Sequence, residues 1–394
     1  MKMARIKLLI MKFTLLGAGC ILSLILLEIG LRLFNPIENR IRGEKIVLPV
    51  NKQYRLESNI RGIDHNVIHS KNSIGFRGPD LPKNGFADYL SILAVGGSTT
   101  ECFLLSDGRD WPSLLQKLIK NDFSPIWLNN AGLDGHSTFG HTILLNDIIV
   151  NLKPKVVIFL VGANDREREE AGEHTASAIK GPLGFSSVED FIKSASAYSE
   201  VAAAALNFYR YLRAKFGGLT QQDLDLRTLS HVQSPISNIN SVLEPHINKY
   251  VPAYEKRLRA MIQAARTAQI DPVLITQPLL FGEGVDPITG VNLCTLKIDK
   301  DMTGLEAWSI LKLYNETTIM VGRQENVFTI DLAHKLEKNS EYFHDGLHFT
   351  NEGSREVAKI IYSELHPYLL QKYSQYKKPH TGTLSLDRGQ GLSP

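Results

Sequence analysis

Short apolar runs alternate with amphipathic stretches along most of the chain. Runs that stop abruptly at a glycine or an amide side chain are typical of strands buried on both faces, whereas apolar residues three and four positions apart are typical of helices on a core. The predicted strands are residues 92–95, 126–128, 156–161, 272–276 and 327–332. The predicted helices are residues 111–119, 138–150, 254–268, 308–320 and 352–365. This alternation predicts an α/β fold with a doubly wound parallel sheet, in which ligands bind at the carboxyl ends of the strands.

The N-terminal segment, residues 1–34, is apolar without such a period. Four basic residues precede an uncharged run that approaches the roughly 20 residues needed to span a bilayer. A signal peptide, with its shorter apolar core, is the alternative. No Ala-x-Ala cleavage site follows Leu27, so we favour an uncleaved single-pass anchor. Basic residues flank the segment on both sides, and we place the short N-terminus inside and the large domain in an extracytoplasmic position.

Three further regions flank or interrupt the α/β pattern. Residues 35–88 are an irregular, proline-containing lead-in, which either packs beside the strand ends or serves as a linker. Residues 166–250 form an insertion far longer than a usual connection, and a lid over the strand ends is favoured over a peripheral excursion. Residues 369–394 are polar and are expected to be disordered. These boundaries place the α/β domain at residues 89–368.

Composition excludes some classes of protein. The 394 residues carry 44 Lys and Arg against 41 Asp and Glu, a net charge of +3. With so small a charge and no basic tract interleaved with aromatic residues, nucleic-acid binding is not supported. The three cysteines form no CxxC pair, so a structural zinc site is not indicated, and a disulfide between Cys102 and Cys294 stays open. His136 and His141 lack the spacing of a helical metal pair, which favours a surface or substrate-facing role.

The candidate chemistry centres on residues 89–101, where the first predicted strand ends at Gly96 and Gly97 and presents Ser98 directly afterwards. Glycines allow the tight turn that lifts a side chain above the edge of a parallel sheet. Ser98 is therefore a candidate nucleophile. The structural alternative is a capping box, in which Ser98 and Glu101 satisfy the free amides at the start of a helix.

Other predicted turns offer the remaining groups that acyl transfer needs, which are a base, a carboxylate that orients it and donors for the oxyanion. Asp345 and His348 lie three residues apart before the last predicted helix. At that spacing the carboxylate can meet Nδ1 of the ring while Nε2 faces Ser98. Gly132 and Asn164 follow neighbouring strands, and their amides could converge with the Ser98 N–H on one oxygen.

These residues, in this order, resemble the SGNH (GDSL-like) hydrolases, whose blocks are named for serine, glycine, asparagine and histidine. The matching segments are Gly97-Ser98, Asn130-Ala131-Gly132, Gly162-Ala163-Asn164-Asp165 and Asp345-Gly346-Leu347-His348. Gly97 departs from the family pattern, which usually has aspartate there. The resemblance covers about residues 90–365 and implies a three-layer α/β/α sandwich with a five-stranded parallel sheet of flavodoxin-like order. The α/β-hydrolase fold is disfavoured, because the loop at Ser98 lacks the second glycine of G-x-S-x-G.

The resemblance also implies a function. We expect a serine ester hydrolase with Ser98, His348 and Asp345 as its triad, with Ser98 N–H, Gly132 and Asn164 as its oxyanion hole, and with no metal or organic cofactor. The expected partners are an acyl ester substrate, of a glycan or a lipid, and a membrane bound through residues 1–34, without nucleic acid. An O-acyltransferase or deacetylase of envelope glycans would use the same triad. A non-catalytic binding or assembly protein on this fold is the alternative of another class.

Overall fold

The structure is a computed structural model that describes residues 2–34, 41–42, 45–167, 188–216, 221–232, 239–299 and 302–379. The strands are β1 (Ile41–Arg42), β2 (Lys45–Ile46), β3 (Lys52–Glu57), β4 (Asn66–Lys71), β5 (Leu90–Gly96), β6 (Ile126–Asn130), β7 (Val156–Leu160), β8 (Asp271–Ile275), β9 (Lys297–Asp299), β10 (Met302–Thr303) and β11 (Phe328–Ile330). The helices are α1 (Lys2–Leu33), α2 (Ser98–Glu101), α3 (Trp111–Asp122), α4 (Thr138–Leu144), α5 (Val150–Leu152), α6 (Val188–Ala195), α7 (Glu200–Phe216), α8 (Ile239–Pro245), α9 (Val251–Thr267), α10 (Gly304–Gln324), α11 (Leu332–Lys335) and α12 (Asn351–Lys372). Two π-helical turns, Leu145–Ile149 and His246–Tyr250, lead into α5 and α9.

Five of these strands form the central parallel sheet, in the order β11-β8-β7-β5-β6. If the five strands are numbered 1 to 5 along the chain, their order from the β6 edge is 2-1-3-4-5. This is the strand order of flavodoxin-like sheets. Ala94 of β5 pairs with Asn130 of β6 and with Ile158 of β7, so the carboxyl ends of these strands meet at one edge. The predicted α/β fold with a five-stranded flavodoxin-like sheet is confirmed.

Helices cover both faces of the sheet, which explains why its strands read as continuous apolar runs. In β5, Ile92 and Ala94 belong to one core and Leu93 and Val95 to the other, and all four are fully buried. The first core also contains apolar residues of α3 and α12, and the second contains those of α4 and α9. The result is a three-layer α/β/α sandwich whose catalytic candidates lie at one sheet edge.

The lead-in contains regular structure that its irregular pattern did not predict. β3 and β4 form an antiparallel hairpin in continuous register, from Lys52 opposite Lys71 to Glu57 opposite Asn66. Every second residue of β4 is buried, and two of these, His69 and Lys71, are polar. Polar residues on the buried face hide the alternation that normally marks a strand. The hairpin packs beside the strand ends rather than serving as a plain linker.

Helix α1 is long and apolar enough to cross a membrane. Within its 24 residues Ile10–Leu33, an 18-residue window has a mean hydropathy of 2.2 and is not buried in the protein, a property that a signal sequence would share. Glu28 accepts hydrogen bonds from Ser199 Oγ and from the N–H groups of Glu200 and Val201, at 2.8–3.1 Å. The carboxylate of α1 therefore satisfies the free amides at the start of α7, in the insertion.

The insertion predicted at residues 166–250 is described only in part, since 168–187, 217–220 and 233–238 lie outside the described residues. Its residues 221–232 reach the turn before α12, where the Leu224 N–H donates to His344 O at 2.9 Å. Part of the insertion thus touches the turn that carries Asp345 and His348. Its role as a lid stays a prediction.

The C-terminal helix continues past the predicted end of the domain at residue 368. Leu369 is fully buried, and Lys372 Nζ lies 2.6 Å from Asp271 of β8. These contacts correct the prediction of a disordered tail for residues 369–372, because α12 packs on the sheet to its last turn. Residues 373–379 are held beyond it, where the Ser124 N–H donates to Tyr376 O and the Lys378 N–H to Asp122 O, both at 2.8 Å. Residues 380–394 lie outside the described part of the chain.

All three cysteines are unpaired, so the possible disulfide between Cys102 and Cys294 is not formed. Each of these two thiols instead donates to a nearby carbonyl: Cys102 Sγ to Thr99 O at 3.3 Å and Cys294 Sγ to Gly282 O at 3.2 Å. Burial raises the pKa of the Cys102 thiol well above its ordinary value, which keeps it protonated.

Candidate active site

Ser98 lies where β5 ends and the one-turn helix α2 begins. A Cβ at Gly96 would lie 2.2 Å from Thr100 Oγ1 and 2.6 Å from Leu160 O, so only glycine fits at this turn. As the first residue of α2, Ser98 has an N–H without an acceptor inside the helix. The capping-box interpretation is wrong, because Gly97 is the N-cap residue and no side chain caps α2. The Ser98 hydroxyl is therefore available for another partner.

Ser98, His348 and Asp345 form a continuous line of hydrogen bonds. His348 Nε2 lies 2.7 Å from Ser98 Oγ, and His348 Nδ1 lies 2.7 Å from Asp345 Oδ2. The sheet brings Ser98 to a histidine that is 250 positions away in the sequence. The three predicted residues lie together in the order that proton transfer from serine to histidine requires.

The Asp345 carboxylate is fixed by the backbone of its own turn. Its Oδ1 accepts from the N–H groups of Leu347 and His348, both at 2.7 Å, which leaves Oδ2 for the imidazole. Burial alone would raise the pKa of Asp345, but the hydrogen bond and charge of His348, together with His344, hold that pKa below its ordinary value. Asp345 therefore stays ionised and favours the tautomer of His348 that carries its proton on Nδ1.

Asn164 lies beside the start of α2. It lines the same narrow cleft as Ser98, and its Nδ2 donates to His136 O at 3.0 Å, which uses one of the two hydrogens of that amide. A Cβ at Gly97 would lie 2.4 Å from Asn164 Nδ2. Glycine in place of the family's aspartate thus lets the carboxamide pack directly against the start of α2.

Gly132 is placed differently. Its N–H donates to Asn130 Oδ1 at 2.9 Å, and it is not among the residues that line the cleft at Ser98. A Cβ at this position would lie 2.2 Å from Glu101 N, so glycine is required for the close contact between the end of β6 and α2. In this structure the amide of Gly132 stabilises its own turn.

Arg77 of the lead-in, which sequence analysis did not single out, holds α2 from its C-terminal end. The guanidinium is 2% exposed and donates to the carbonyl oxygens of Glu101, Cys102 and Leu105 at 2.8–2.9 Å. It also lies 3.6 Å from the buried carboxylate of Asp110. These bonds satisfy carbonyls that the end of a helix leaves without partners. Sequence analysis showed only that Arg77 lies in an irregular, proline-containing stretch. The carbonyl groups that it binds lie 24–28 positions later in the chain, so no local pattern indicates the contact.

A buried ion pair joins the lead-in to the same helix. Lys71 Nζ of β4 lies 2.8 Å from Glu101 Oε1, and the two side chains are 2% and 4% exposed. Glu101 Oε2 accepts from the Asp134 N–H at 2.6 Å. Glu101, one of the two residues of the capping-box interpretation, instead anchors α2 to the lead-in and to the loop after β6.

Two further histidines, His136 and His141, line the cleft at Ser98, with their ring centroids 6.2 Å apart. Burial, with the nearby His136, lowers the pKa of His141 to about 3. His141 is therefore a neutral ring near neutral pH. His141 is 1% exposed, so it is not a surface residue, and the predicted alternative of a substrate-facing role stays a prediction.

One group of side chains in the described residues, His344, Asp345 and His348, has ligand atoms within 4.8 Å of one another and could hold a metal ion by distance. Both ring nitrogens of His348 are, however, already hydrogen-bonded to Ser98 and Asp345. A metal ion on His348 would have to displace one of them. The arrangement as it stands suits proton transfer.

A five-stranded flavodoxin-like parallel sheet between helices is the fold of the SGNH hydrolases. Residues 94–356 match the GDSL-like Lipase/Acylhydrolase family, and this match spans more than half of the chain. The chain therefore belongs to that family, which confirms the resemblance, and it is an ester-hydrolysing enzyme. No curated protein matches the sequence.

Several solved structures are similar to the chain at low identity. A lipolytic protein of the G-D-S-L family from Desulfitobacterium hafniense DCB-2 is 14% identical with a TM-score of 0.37, over 70% of this chain and 99% of that one. The lipase/acylhydrolase from Enterococcus faecalis is 16% identical with a TM-score of 0.39, over 73% and 98%. A catalytic mutant of the acetylxylan esterase Axe2 from Geobacillus stearothermophilus is 13% identical with a TM-score of 0.39, over 70% and 93%.

Proposed function

We propose that the chain is a membrane-anchored serine ester hydrolase in which Ser98 is the nucleophile, His348 the general base and acid, and Asp345 the residue that orients His348. The observation that carries this proposal is the pair of 2.7 Å contacts that link Asp345 through His348 to Ser98. Family membership supports ester hydrolysis in general, and the ionised state of Asp345 supports the role of each group.

The reaction begins when Ser98 Oγ attacks the acyl carbonyl carbon and His348 Nε2 takes the hydroxyl proton. Asp345 remains a carboxylate and stabilises the imidazolium that forms. His348 then gives its proton to the leaving alcohol, and the acyl group stays on Ser98 as an ester. Water, deprotonated by the same Nε2, attacks this ester, so that the acid leaves and the serine is restored.

The oxyanion of each tetrahedral intermediate is held by the N–H of Ser98 and by Asn164 Nδ2. Each such donor is typically worth about 3 kcal/mol of barrier. Gly132 N–H is the third donor of our prediction. It can contribute only when substrate binding turns it away from Asn130 Oδ1, to which it donates at 2.9 Å.

Residues 1–34 act in this proposal as an uncleaved anchor, with the catalytic domain extracytoplasmic. The contacts of Glu28 with the start of α7 support retention of the segment. Cleavage after the apolar run would remove this carboxylate and leave the amides of α7 without it. The anchor is thus also a structural partner of the insertion.

The test is hydrolysis of p-nitrophenyl acetate by the full chain in detergent micelles. We expect Ser98→Ala to lower kcat by at least about 10³-fold, because removal of a triad nucleophile leaves only residual catalysis. Ser363→Ala is the matched control, since this hydroxyl bonds only to the Ile360 carbonyl of its own helix, away from the cleft. Activity that is equal in Ser98→Ala and Ser363→Ala would contradict the mechanism.

A fluorophosphonate probe gives a second measurement that does not depend on the natural substrate. We expect one phosphonate adduct on Ser98 in the wild type and in Ser363→Ala, seen by mass spectrometry of peptides. The adduct should be absent from Ser98→Ala and form more slowly in His348→Ala, because the ring activates the hydroxyl. An adduct on another serine, or none in the wild type, would refute Ser98 as the nucleophile.

A further inference from the structure

A cavity of about 250 Å³ lies between the lead-in and α2, and we call it the lead-in cavity. Twelve residues line it, of which eight are aliphatic or aromatic: Ile46, Val47, Leu48, Pro49, Val50, Tyr54, Phe103 and Leu133. Six of these eight come from residues 46–54, which precede the segment 94–356 that matches the family. The lead-in cavity is thus a feature that this chain adds to the family domain.

The lead-in cavity shares a lining residue with the cleft at Ser98. His136 lines both this cavity and the cleft at Ser98. Glu101 also lines the cavity, and it lies three residues after Ser98 on α2, so that the two Cβ atoms are about 5–6 Å apart. His136 therefore marks the boundary that a substituent on a carbonyl carbon at Ser98 would pass to reach the cavity.

The charged side chains around the cavity already have partners. Lys71 and Glu101 form the buried ion pair, and Glu101 also accepts from the backbone of Asp134. Lys52 and His136 have interactions of their own. A sugar ring would need several hydroxyl partners to replace those it leaves in water, whereas an aliphatic chain needs only apolar contact. The lining therefore favours an apolar occupant.

The six apolar lining residues from residues 46–54 form one wall of the cavity, which we call the apolar wall. A turn of the lead-in at residues 72–75 holds this wall in place. The Asn51 N–H, at the end of the wall, donates to Asn72 O at 2.9 Å. Gly75 of the same turn packs so closely on the wall that a Cβ there would lie 2.4 Å from Leu48 Cβ. The wall is thus fixed before any ligand binds, as is usual for small-molecule sites.

We propose that the lead-in cavity binds the aliphatic acyl chain of the ester, which makes the enzyme selective for medium-length acyl groups over acetyl. The proposal rests on the proposed function of Ser98. The volume of about 250 Å³ is just below the range of roughly 300–1,000 Å³ for drug-sized ligands, which suits one short chain. Lys71 and Glu101, which form the buried ion pair, also line the cavity, and contact with their charges would disfavour a longer chain.

The experiment compares p-nitrophenyl octanoate with p-nitrophenyl acetate on the full chain in detergent. Wild type should show a kcat/KM at least about 10-fold higher for octanoate, because each methylene buried in an apolar pocket adds discrimination. Val50→Trp should lower this octanoate-to-acetate ratio by about 10-fold or more, since Val50 lines the cavity and is 49% exposed, so that an indole can fill the space without disturbing a core. Ile68→Trp, at a 38% exposed position of the lead-in that does not line the cavity, should keep the ratio of the wild type.

The outcomes distinguish the assignment of the cavity from the proposed function of Ser98. Equal kcat/KM for both esters in the wild type, or equal shifts of the ratio in Val50→Trp and Ile68→Trp, would overturn the assignment of the cavity while leaving Ser98 intact. Turnover that persists in Ser98→Ala would instead overturn the proposed function. If turnover is too slow to measure, the labelling rates of Ser98 by octyl and ethyl fluorophosphonates give the same ratio and decide in the same way.

Discussion

Ser98 is held from two directions by regions of different character. At the carboxyl edge of the sheet, His348 reaches its hydroxyl through a 2.7 Å hydrogen bond and is oriented by Asp345. On the other side, the lead-in reaches α2 with buried charges, Arg77 on backbone carbonyls and Lys71 on Glu101. In the proposed mechanism the edge supplies the groups that react, whereas the lead-in fixes the helix that carries Ser98. Substitutions in the two regions should therefore separate loss of chemistry from loss of stability.

The largest effect is expected at the edge. Asp345→Asn should lower kcat by about 10³–10⁴-fold with little loss of stability, because an amide does not hold His348 in the tautomer that accepts the serine proton. The measurement is steady-state kinetics with p-nitrophenyl esters, together with thermal unfolding of the same samples.

Asp331→Asn is the matched control for this change. Asp331 and His334 have the same i, i+3 spacing and a contact of 2.8 Å, and neither lines the cleft at Ser98. Its kcat should stay within about 2-fold of the wild type, since no reacting group depends on it. A kcat for Asp345→Asn above a tenth of the wild-type value would mean that Asp345 does not orient the base.

The next effect belongs to the lead-in. Arg77→Leu should lower the free energy of unfolding by about 3–5 kcal/mol, because it leaves the buried carboxylate of Asp110 without its cation and three carbonyls without their donor. Urea unfolding of the full chain in detergent measures this loss. Arg55→Leu, at an exposed position of β3, should change the free energy by no more than about 0.5 kcal/mol. Similar values for the two variants would show that Arg77 does not hold α2.

The ion pair of Lys71 and Glu101 predicts non-additive losses. Lys71→Met alone should reduce the free energy of unfolding by about 3 kcal/mol, since it leaves a buried carboxylate unpaired. Glu101→Gln in the same chain should restore at least about 1 kcal/mol, because the unpaired charge is then gone. A double variant whose loss equals the sum of the two single losses would show that these side chains are not coupled.

A further effect concerns acid stability and involves both regions. Burial lowers the pKa of His69 in the lead-in to about 2 and, with His136, that of His141 at the cleft to about 3. Below the ordinary pKa of 6.5 the unfolded chain binds a proton at each ring and the folded chain does not, so stability falls as the pH decreases toward these folded values. Each ring contributes up to about 1.4 kcal/mol per pH unit.

Thermal unfolding between about pH 6 and pH 4 tests this pH dependence. His141→Asn should remove roughly half of the slope that the two buried rings produce, whereas His231→Asn, at an exposed position, should leave it unchanged. A slope that is the same in His141→Asn and in the wild type would show that the ring is not held neutral by burial.

Much of the domain followed from local pattern. The five sheet strands were predicted because continuous apolar runs are needed where helices cover both faces of a sheet. Ser98 and Asn164 were recognisable because each follows such a run at a turn, and Asp345 and His348 because three residues suffice for a carboxylate to meet a ring. These features depend on neighbours in the sequence.

The contacts of the lead-in could not be predicted in this way. The β3–β4 hairpin was missed because its buried face carries His69 and Lys71, which do not read as an apolar stripe. Glu101 has the spacing from Ser98 that a capping box requires, yet its carboxylate binds Lys71. A buried carboxylate is stabilised by a nearby cation, and the fold brings Lys71 to it. The Gly132 N–H, predicted to face the oxyanion, instead donates to Asn130 Oδ1 at the end of β6.

The sequence alone therefore determined which side chains are candidates for the reaction and which strand ends they follow, since period and short spacing act locally. The tertiary structure decided that Ser98 meets a histidine 250 positions later, that buried charges of the lead-in fix α2, and that residues 46–54 wall a cavity beside the serine. These results depend on the approach of segments far apart in the chain. A buried charge is stable only when the fold brings a partner to it, and local sequence pattern does not show which distant residue that partner is.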